Sequence, residues 1–131
     1  MEFTRTELYM LLNPHPADRP LRLIEANPSW ANPAGAKLTR ASLGEANLDN
    51  ANLGVTGLIA AELRGAHLHQ VYLHQAYLHQ AYLHQAYLGR ATLRWAYLGR
   101  AGLTGANLSG ADLGGQSDGC RPARDQVGPG E

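Results

Sequence analysis

Hydrophobic and polar residues follow a period of five from Ala36 to Gly115. This stretch divides into sixteen five-residue units without an insertion, and the third residue of every unit is Leu. The first residue is Ala in fourteen units, with Thr56 and Val71 as the exceptions. The other three positions are mostly polar residues or Gly. A period held this strictly indicates a repeat architecture.

A period of five fits neither an α-helix nor a continuous β-strand. On a helix, a Leu every five residues would advance by roughly 500° each time and would reach all faces. Within a unit, however, Ala and Leu stand two residues apart, as neighbours on one face of a strand do. The remaining positions often carry residues that tolerate turns. We therefore predict a short extended piece followed by a bend, repeated into a solenoid with Ala and Leu inside. The predicted core includes Leu38, Leu58, Leu78, Leu98, Ala76 and Ala96.

Four units carry a more specific pattern, in which Ala is followed by Asn or Asp and then by Leu. They begin at Ala46, Ala51, Ala106 and Ala111. In this pattern the chain resembles the pentapeptide-repeat proteins, and the resemblance covers 80 of its 131 residues. It implies an all-β fold, a right-handed quadrilateral β-helix with four units per coil and about four regular coils. It implies little about function, because a fold does not by itself determine a chemistry.

Three segments lie outside the 36–115 repeat. Residues 1–20 are predicted to form a capping helix, over 4–12, and a loop, because the first coil of a solenoid needs a cover. Residues 21–35 keep the phase of the repeat but place Pro where Leu is expected, which predicts a degenerate first coil. Residues 116–131 are rich in Gly, Pro and charged residues and are predicted to be a disordered tail.

Composition and motifs exclude several classes of protein. Eleven basic and eleven acidic residues give a formal net charge of zero. Cys120 is the only cysteine, so that neither an intrachain disulfide nor a cysteine-based zinc site can form. The chain shows no signal peptide and no apolar run of the ~20 residues that span a membrane, so a cytoplasmic protein is expected. Phosphate loops, metal-ligand signatures and nucleophile–base pairs are missing. We therefore expect no enzymatic activity, no catalytic residue and no cofactor.

A histidine-rich segment spans residues 68–87, where one variant copy precedes three identical copies of Leu-His-Gln-Ala-Tyr. It places four histidines at one equivalent position of consecutive units. With four units per coil, consecutive units lie on different sides of the solenoid. The four side chains therefore do not converge as a zinc site requires, and we predict no metal site at His69, His74, His79 and His84.

Residues twenty apart should lie beside each other in neighbouring coils. Tyr77 should then stack on Tyr97, and His67 should lie beside Tyr87. Tyr, His, Gln, Trp and Arg would surround the later coils, and several of these types are enriched at binding hot spots. A duplicated, solvated face and a dedicated binding surface are both open interpretations. The candidate interaction residues are Tyr72, Tyr77, Tyr82, Tyr87, Tyr97, His79, His84, Gln80, Arg90, Arg94, Trp95 and Arg100.

Three function classes remain. The leading prediction is a non-enzymatic structural or protein-interaction module that binds a protein partner through its outer faces. The resemblance also suggests a DNA-mimicking protein that binds gyrase, but the repeat carries four acidic against six basic residues and lacks an acidic face. Arg90, Arg94 and Arg100 suggest weak binding of nucleic acid or another anion, although scattered basic residues make nucleic acid an unlikely main partner. The uncapped C-terminal coil leaves an end-to-end homodimer open.

Overall fold

The structure of the protein is a computed structural model, and it describes residues 34–35 and 37–115. The predicted capping helix, the predicted tail and most of the predicted degenerate coil lie outside these residues. The described residues contain no helix and no strand longer than a single residue. Accordingly, they include no helix that is long and apolar enough to cross a membrane.

Parallel β-bridges between residues twenty apart hold the fold together. Twelve such bridges run from the pair Lys37 and Gly57 to the pair Thr92 and Asp112. Each bridge joins the second residues of two units, and an offset of twenty places every unit beside the fourth unit further along. We call residues 37–55, 56–75, 76–95 and 96–115 coils 1 to 4. Units that pair in this way form a side: side 1 is 37–40, 57–60, 77–80 and 97–100, and sides 2, 3 and 4 begin five, ten and fifteen residues later.

The backbone hydrogen bonds explain this register. Where two neighbouring coils are described, the second, third and fifth N–H groups of a unit donate to the adjacent coils. The N–H of Glu62, for example, donates to the carbonyl of Ala41 at 2.8 Å, and the N–H of Leu63 donates to the carbonyl of Tyr82 at 2.8 Å. The first N–H closes the bend by donating to the Leu carbonyl three residues earlier, at 2.9–3.2 Å. In units whose two neighbouring coils are both described, only the fourth N–H has no backbone acceptor.

Ala and Leu form the interior, as the five-residue period predicts. Fifteen of the sixteen Leu side chains are buried, and Leu113 in the last unit is partly buried. The two exceptions to Ala at the first position, Thr56 and Val71, are buried as well. All six residues named above as the predicted core have at most 4% of their surface exposed. Small and large side chains thus alternate along the chain inside one continuous core.

The fifth residue of every unit, which is the second central residue of the bend, lies in the left-handed backbone region. The fifth position has a positive φ in all seventeen units from Gly35 to Gly115, and twelve of these residues are not Gly. A positive φ at the second central residue is the feature that defines a type II turn. It is unfavourable for ordinary side chains, above all for β-branched or bulky ones such as Val55 at 57° and Trp95 at 62°. The inter-coil bonds therefore hold about a dozen residues in a conformation that they would avoid alone.

The fourth N–H obtains its acceptor from a side chain in the Asn and Asp units. Oδ1 of Asn47, Asn52, Asn107 and Asp112 accepts the N–H two residues later, at 3.0–3.1 Å. This local bond is an Asx turn, and it explains physically why Asn or Asp suits the position between Ala and Leu.

Candidate interaction surface

The residue between Ala and Leu points outward, and its neighbours in the next coils determine what the surface presents. Tyr72, Tyr77, Tyr82 and Tyr87 have 56%, 39%, 48% and 51% of their surface exposed. Each is fixed to a bridged backbone position. The sequence segment that repeats Tyr, His and Gln therefore produces aromatic side chains at defined places on a rigid support.

Side 1 contains the most ordered aromatic cluster. The rings of Tyr77 and Tyr97 stack with centroids 5.0 Å apart and planes only 3° from parallel, which confirms the stack predicted from the register. The ring of His79 also lies against Tyr97, with centroids 5.7 Å apart and an interplanar angle of 19°. The offset of twenty residues makes Ile59 and Gly99 the neighbours of His79 and does not predict this contact. It arises because the His79 side chain leans towards Tyr97, eighteen residues later.

Sides 2 and 3 carry smaller aromatic contacts. On side 3, His67 and Tyr87 stack with centroids 4.9 Å apart, as the register predicts. On side 2, the His84 ring is tilted against Tyr82 at 6.3 Å and covers Gly102, where an added Cβ would lie 2.6 Å from Nε2. The lean seen for His79 is thus repeated here, and a glycine provides the room for it.

Side 4 carries a tryptophan and an ion pair. The exposed indole of Trp95 covers Gly115, since a Cβ there would be 2.7 Å from the ring. Nη1 of Arg94 lies 3.4 Å from Oδ2 of Asp112, whose Oδ1 accepts the N–H of Gly114 at 3.0 Å. That backbone hydrogen bond is the main cause that lowers the pKa of Asp112 below its ordinary 3.8; slight desolvation opposes it, and Arg94 adds to the lowering.

The candidate interaction residues do not form one continuous patch, because the register divides them among four sides. Side 1 brings five of them together, side 2 has two, side 3 has two and side 4 has three. The side 1 group consists of Tyr77, Tyr97, His79, Gln80 and Arg100. Gln75 and Trp95 share a row of this register, and so do Gln80 and Arg100.

Charges are distributed unevenly over the sides. Side 1 has Lys37, Arg40 and Arg100 and no acidic residue in its described part, whereas each other side has one Arg and one or two acids. Within 34–35 and 37–115, the pair of Arg94 and Asp112 is the only ion pair. The basic side chains of side 1 are exposed and therefore available to a partner.

The histidines do not assemble a metal centre in this part of the chain. Among the described residues, no group of three or more His, Cys, Asp or Glu is placed to hold a metal ion. The register assigns one histidine of the repeated segment to each side. These side chains are therefore separate surface groups, and two of them pack on aromatic rings.

The geometry defines a class of protein, a solenoid of five-residue units with a closed apolar core and a variable outer surface. A family model for pentapeptide repeats matches the chain in eight copies, over residues 22–54, 58–90 and 76–115. The chain belongs to the pentapeptide-repeat family, and its fold is the right-handed β-helix of that family. The family predicted from the residue pattern is thereby confirmed.

Several solved structures are similar. A pentapeptide repeat protein, Rfr23, from the cyanobacterium Cyanothece 51142 is 34% identical with a TM-score of 0.68, over 75% of this chain and 64% of that one. HetL of Nostoc sp. strain PCC 7120, involved in heterocyst differentiation regulation, is 33% identical with a TM-score of 0.41, over 72% and 52%. A pentapeptide repeat protein of the Arabidopsis thaliana thylakoid lumen is 26% identical with a TM-score of 0.38, over 66% and 57%.

This chain thus spans between about half and two thirds of the length of these proteins. Of these three structures, the Cyanothece protein has a TM-score above 0.5. No curated protein matches the chain significantly.

Proposed function

We propose that the chain is a non-enzymatic protein-interaction module that binds a protein partner through its outer surface, with side 1 at the centre of the contact. The observation that carries this proposal is the parallel stack of Tyr77 on Tyr97, extended by His79. Tyr is among the residue types that dominate interface energies when a partner covers them.

The support beneath the stack favours binding. Tyr77 and Tyr97 are bridged to each other through the backbone, and Ala76, Leu78, Ala96 and Leu98 on either side of them are buried. A side chain held in this way has little conformational freedom left to lose when a partner docks. Tyr also provides a large contact area with few rotatable bonds. The proposal assumes a quadrilateral cross-section with four units per coil, which the pairing offset of twenty residues supports.

The charges favour this proposal over imitation of DNA. A DNA mimic needs rows of carboxylates, yet the acidic residues of the described repeat are spread over three sides. They are Glu45 and Glu62 on side 2, Asp49 on side 3 and Asp112 on side 4. No side presents an acidic surface, so gyrase binding by DNA mimicry is not part of the proposal.

The test is affinity capture from the source cell with three forms of the full chain. We expect Tyr77→Ser with Tyr97→Ser to reduce the amount of captured partner by about tenfold or more, since truncating a hot-spot residue costs about 2 kcal/mol or above. The control, Ser42→Ala with Glu62→Ala, changes a bridged second-position pair on side 2 and should bind normally. Full binding by the tyrosine variant would contradict the proposal, and loss of its fold would assign these tyrosines a structural role.

A further inference from the structure

Side 1 combines three features that no other described side has together. It has three basic residues, Lys37, Arg40 and Arg100, and no acidic residue. It also has the stack of Tyr77, Tyr97 and His79. A surface with this charge attracts negatively charged partners and repels basic ones, which affects both the rate of encounter and the choice of partner.

These features follow one another along the solenoid axis. Coil 1 contributes Lys37 and Arg40, coil 2 the exposed Ile59, coil 3 Tyr77, and coil 4 Arg100. Parallel-paired backbones are about 4.8 Å apart, so Arg40 and Arg100, three coils apart in one row, are anchored roughly 14 Å from each other. An extended polypeptide covers this distance in about four residues. Side 1 therefore presents two basic ends with an apolar and aromatic middle.

The stack determines which part of a partner the tyrosines can meet. Because Tyr77 and Tyr97 lie with their planes parallel at 5.0 Å, the two ring faces that meet in the stack are closed to a partner, and the ring edges and hydroxyl groups are among the groups that remain. Ring edges carry partial positive charge, and a tyrosine hydroxyl can donate a hydrogen bond. Both groups favour a carboxylate, and an apolar side chain of the partner can meet Ile59.

We infer that side 1 binds an extended acidic segment of the partner protein, lying along the axis, with carboxylates about four residues apart facing Arg40 and Arg100. This inference rests on the proposed function and adds the chemistry of the partner to it. The apolar or aromatic residues of the segment lie between its acidic ends, against Ile59 and the tyrosine stack.

Single-stranded nucleic acid is the competing anionic partner, and two observations favour the polypeptide. Proteins that bind single strands stack bases on open aromatic faces, but the faces of Tyr77 and Tyr97 that meet in the stack cover each other. A nucleic-acid strand also brings a phosphate with every nucleotide, whereas the middle of side 1 carries Ile59 and Ala60 rather than basic residues.

The experiment titrates the full chain with a defined probe, the acetylated and amidated peptide Asp-Ser-Val-Ser-Asp-Ser-Val-Ser-Asp, and follows backbone amide signals by NMR. In an extended peptide this sequence places Asp four residues apart on one face with Val between them. We expect saturable shifts concentrated on side 1 at up to about 2 mM peptide, a range that includes weak complexes. The same peptide with Asn in place of Asp, and oligodeoxythymidylate of equal length, should bind at least about tenfold more weakly.

A matched pair of charge reversals locates the site. Arg40→Glu with Arg100→Glu should weaken peptide binding by about tenfold or more, whereas Arg64→Glu with Arg90→Glu, which changes net charge equally on sides 2 and 3, should not. Absence of binding, equal loss in both variants, or tighter binding of the oligonucleotide would overturn the inference. If capture of the cellular partner required the tyrosines but tolerated Arg40→Glu with Arg100→Glu, the proposed function would stand and this inference would fail.

Discussion

Two kinds of unit share one backbone in this protein. In the Asn and Asp units, such as those of Asn52 and Asn107, the second-position side chain binds the N–H two residues later at 3.0 Å. In the Tyr units of the histidine-rich segment this bond is missing, and within the described residues the N–H groups of His74, His79 and His84 have no hydrogen-bond acceptor. The φ angles of the bends are nevertheless alike, 63° at Asn50 and 57° at Gln75.

The comparison shows that the outer residues can exchange a local hydrogen bond for a contact between coils without altering the fold. Leu53 in an Asn unit and Leu78 in a Tyr unit donate to the next coil at 2.7 and 2.8 Å. Their cores are equally closed. The interior and the backbone ladder therefore determine the fold, while the outer positions are available for recognition.

The largest effect is expected from moving a charge across the boundary between interior and surface. Leu78→Lys should unfold the solenoid, because Leu78 is completely buried and an unpaired buried charge costs many kcal/mol. The control His79→Lys changes the neighbouring, partly exposed residue and should lose only its ring contact, about 1 kcal/mol. Circular dichroism and urea unfolding measure both variants. Similar behaviour of the two would refute the assignment of the third position to the interior.

The next largest change in stability is expected at the bends. Exchanging Gly and Val there separates the effect of the residue type from that of the position. Gly65→Val, at a φ of 66°, should destabilise the protein by about 1–2 kcal/mol, because a side chain with a branched Cβ is strained there. The reciprocal change Val55→Gly, two units earlier at a φ of 57°, should stabilise the protein by about 1 kcal/mol. Urea midpoints give both values. A lower midpoint for Val55→Gly would mean that its side chain contributes packing that outweighs the strain.

A smaller difference in stability is expected between a change in an Asn unit and a change in a Tyr unit. Asn52→Ala removes the Asx hydrogen bond and should cost about 1 kcal/mol. Tyr72→Ala, in the same row one coil later, removes an exposed side chain with no established ring contact and should change stability by less than about 0.5 kcal/mol. Thermal unfolding of the two variants under one condition is the measurement. If the tyrosine change were the costlier one, the Asn and Asp units would not be the locally stabilised ones.

The smallest effect concerns pH and Asp112. Its pKa is lowered in the folded state, so the contribution of the carboxylate is present above the unfolded value near 3.8 and is lost as pH falls through the lowered folded value. Asp112→Asn keeps an acceptor for the N–H of Gly114 but cannot titrate. We expect the melting temperatures of the native chain and this variant to converge slightly on acidification below about pH 4. A constant difference from pH 6 to the acid limit would contradict this assignment.

Sequence reasoning predicted the parts of the structure that follow from the period. A unit of five residues with four units per coil places Tyr77 on Tyr97 and His67 on Tyr87, and both stacks are present. The interior position of Leu78 follows from the same alternation. These features depend only on the register, and a register repeated sixteen times in the sequence leaves little freedom.

Features that depend on side-chain direction or on the backbone hydrogen bonds between coils were not predicted. The lean of His79 towards Tyr97 depends on the direction of its side chain, which five-residue counting does not contain. The left-handed conformation of Trp95 is imposed by the ladder against its own preference. A signal for it does exist in the sequence, because Gly65, Gly105 and Asn50 occupy the same fifth position and tolerate a positive φ.

The most direct test of the account replaces Tyr72, Tyr77, Tyr82 and Tyr87 by Asn together and measures stability and partner capture on the same variant. Each Asn can form the Asx bond, worth about 1 kcal/mol. Three aromatic contacts worth at most about 1 kcal/mol each are lost, the stacks of Tyr77 and Tyr87 and the tilted contact of Tyr82 with His84. The account predicts a melting temperature no lower than that of the native chain, together with loss of partner binding. A variant that melted much earlier, or that bound the partner fully, would contradict the claim that the interior determines the fold and the tyrosines determine recognition.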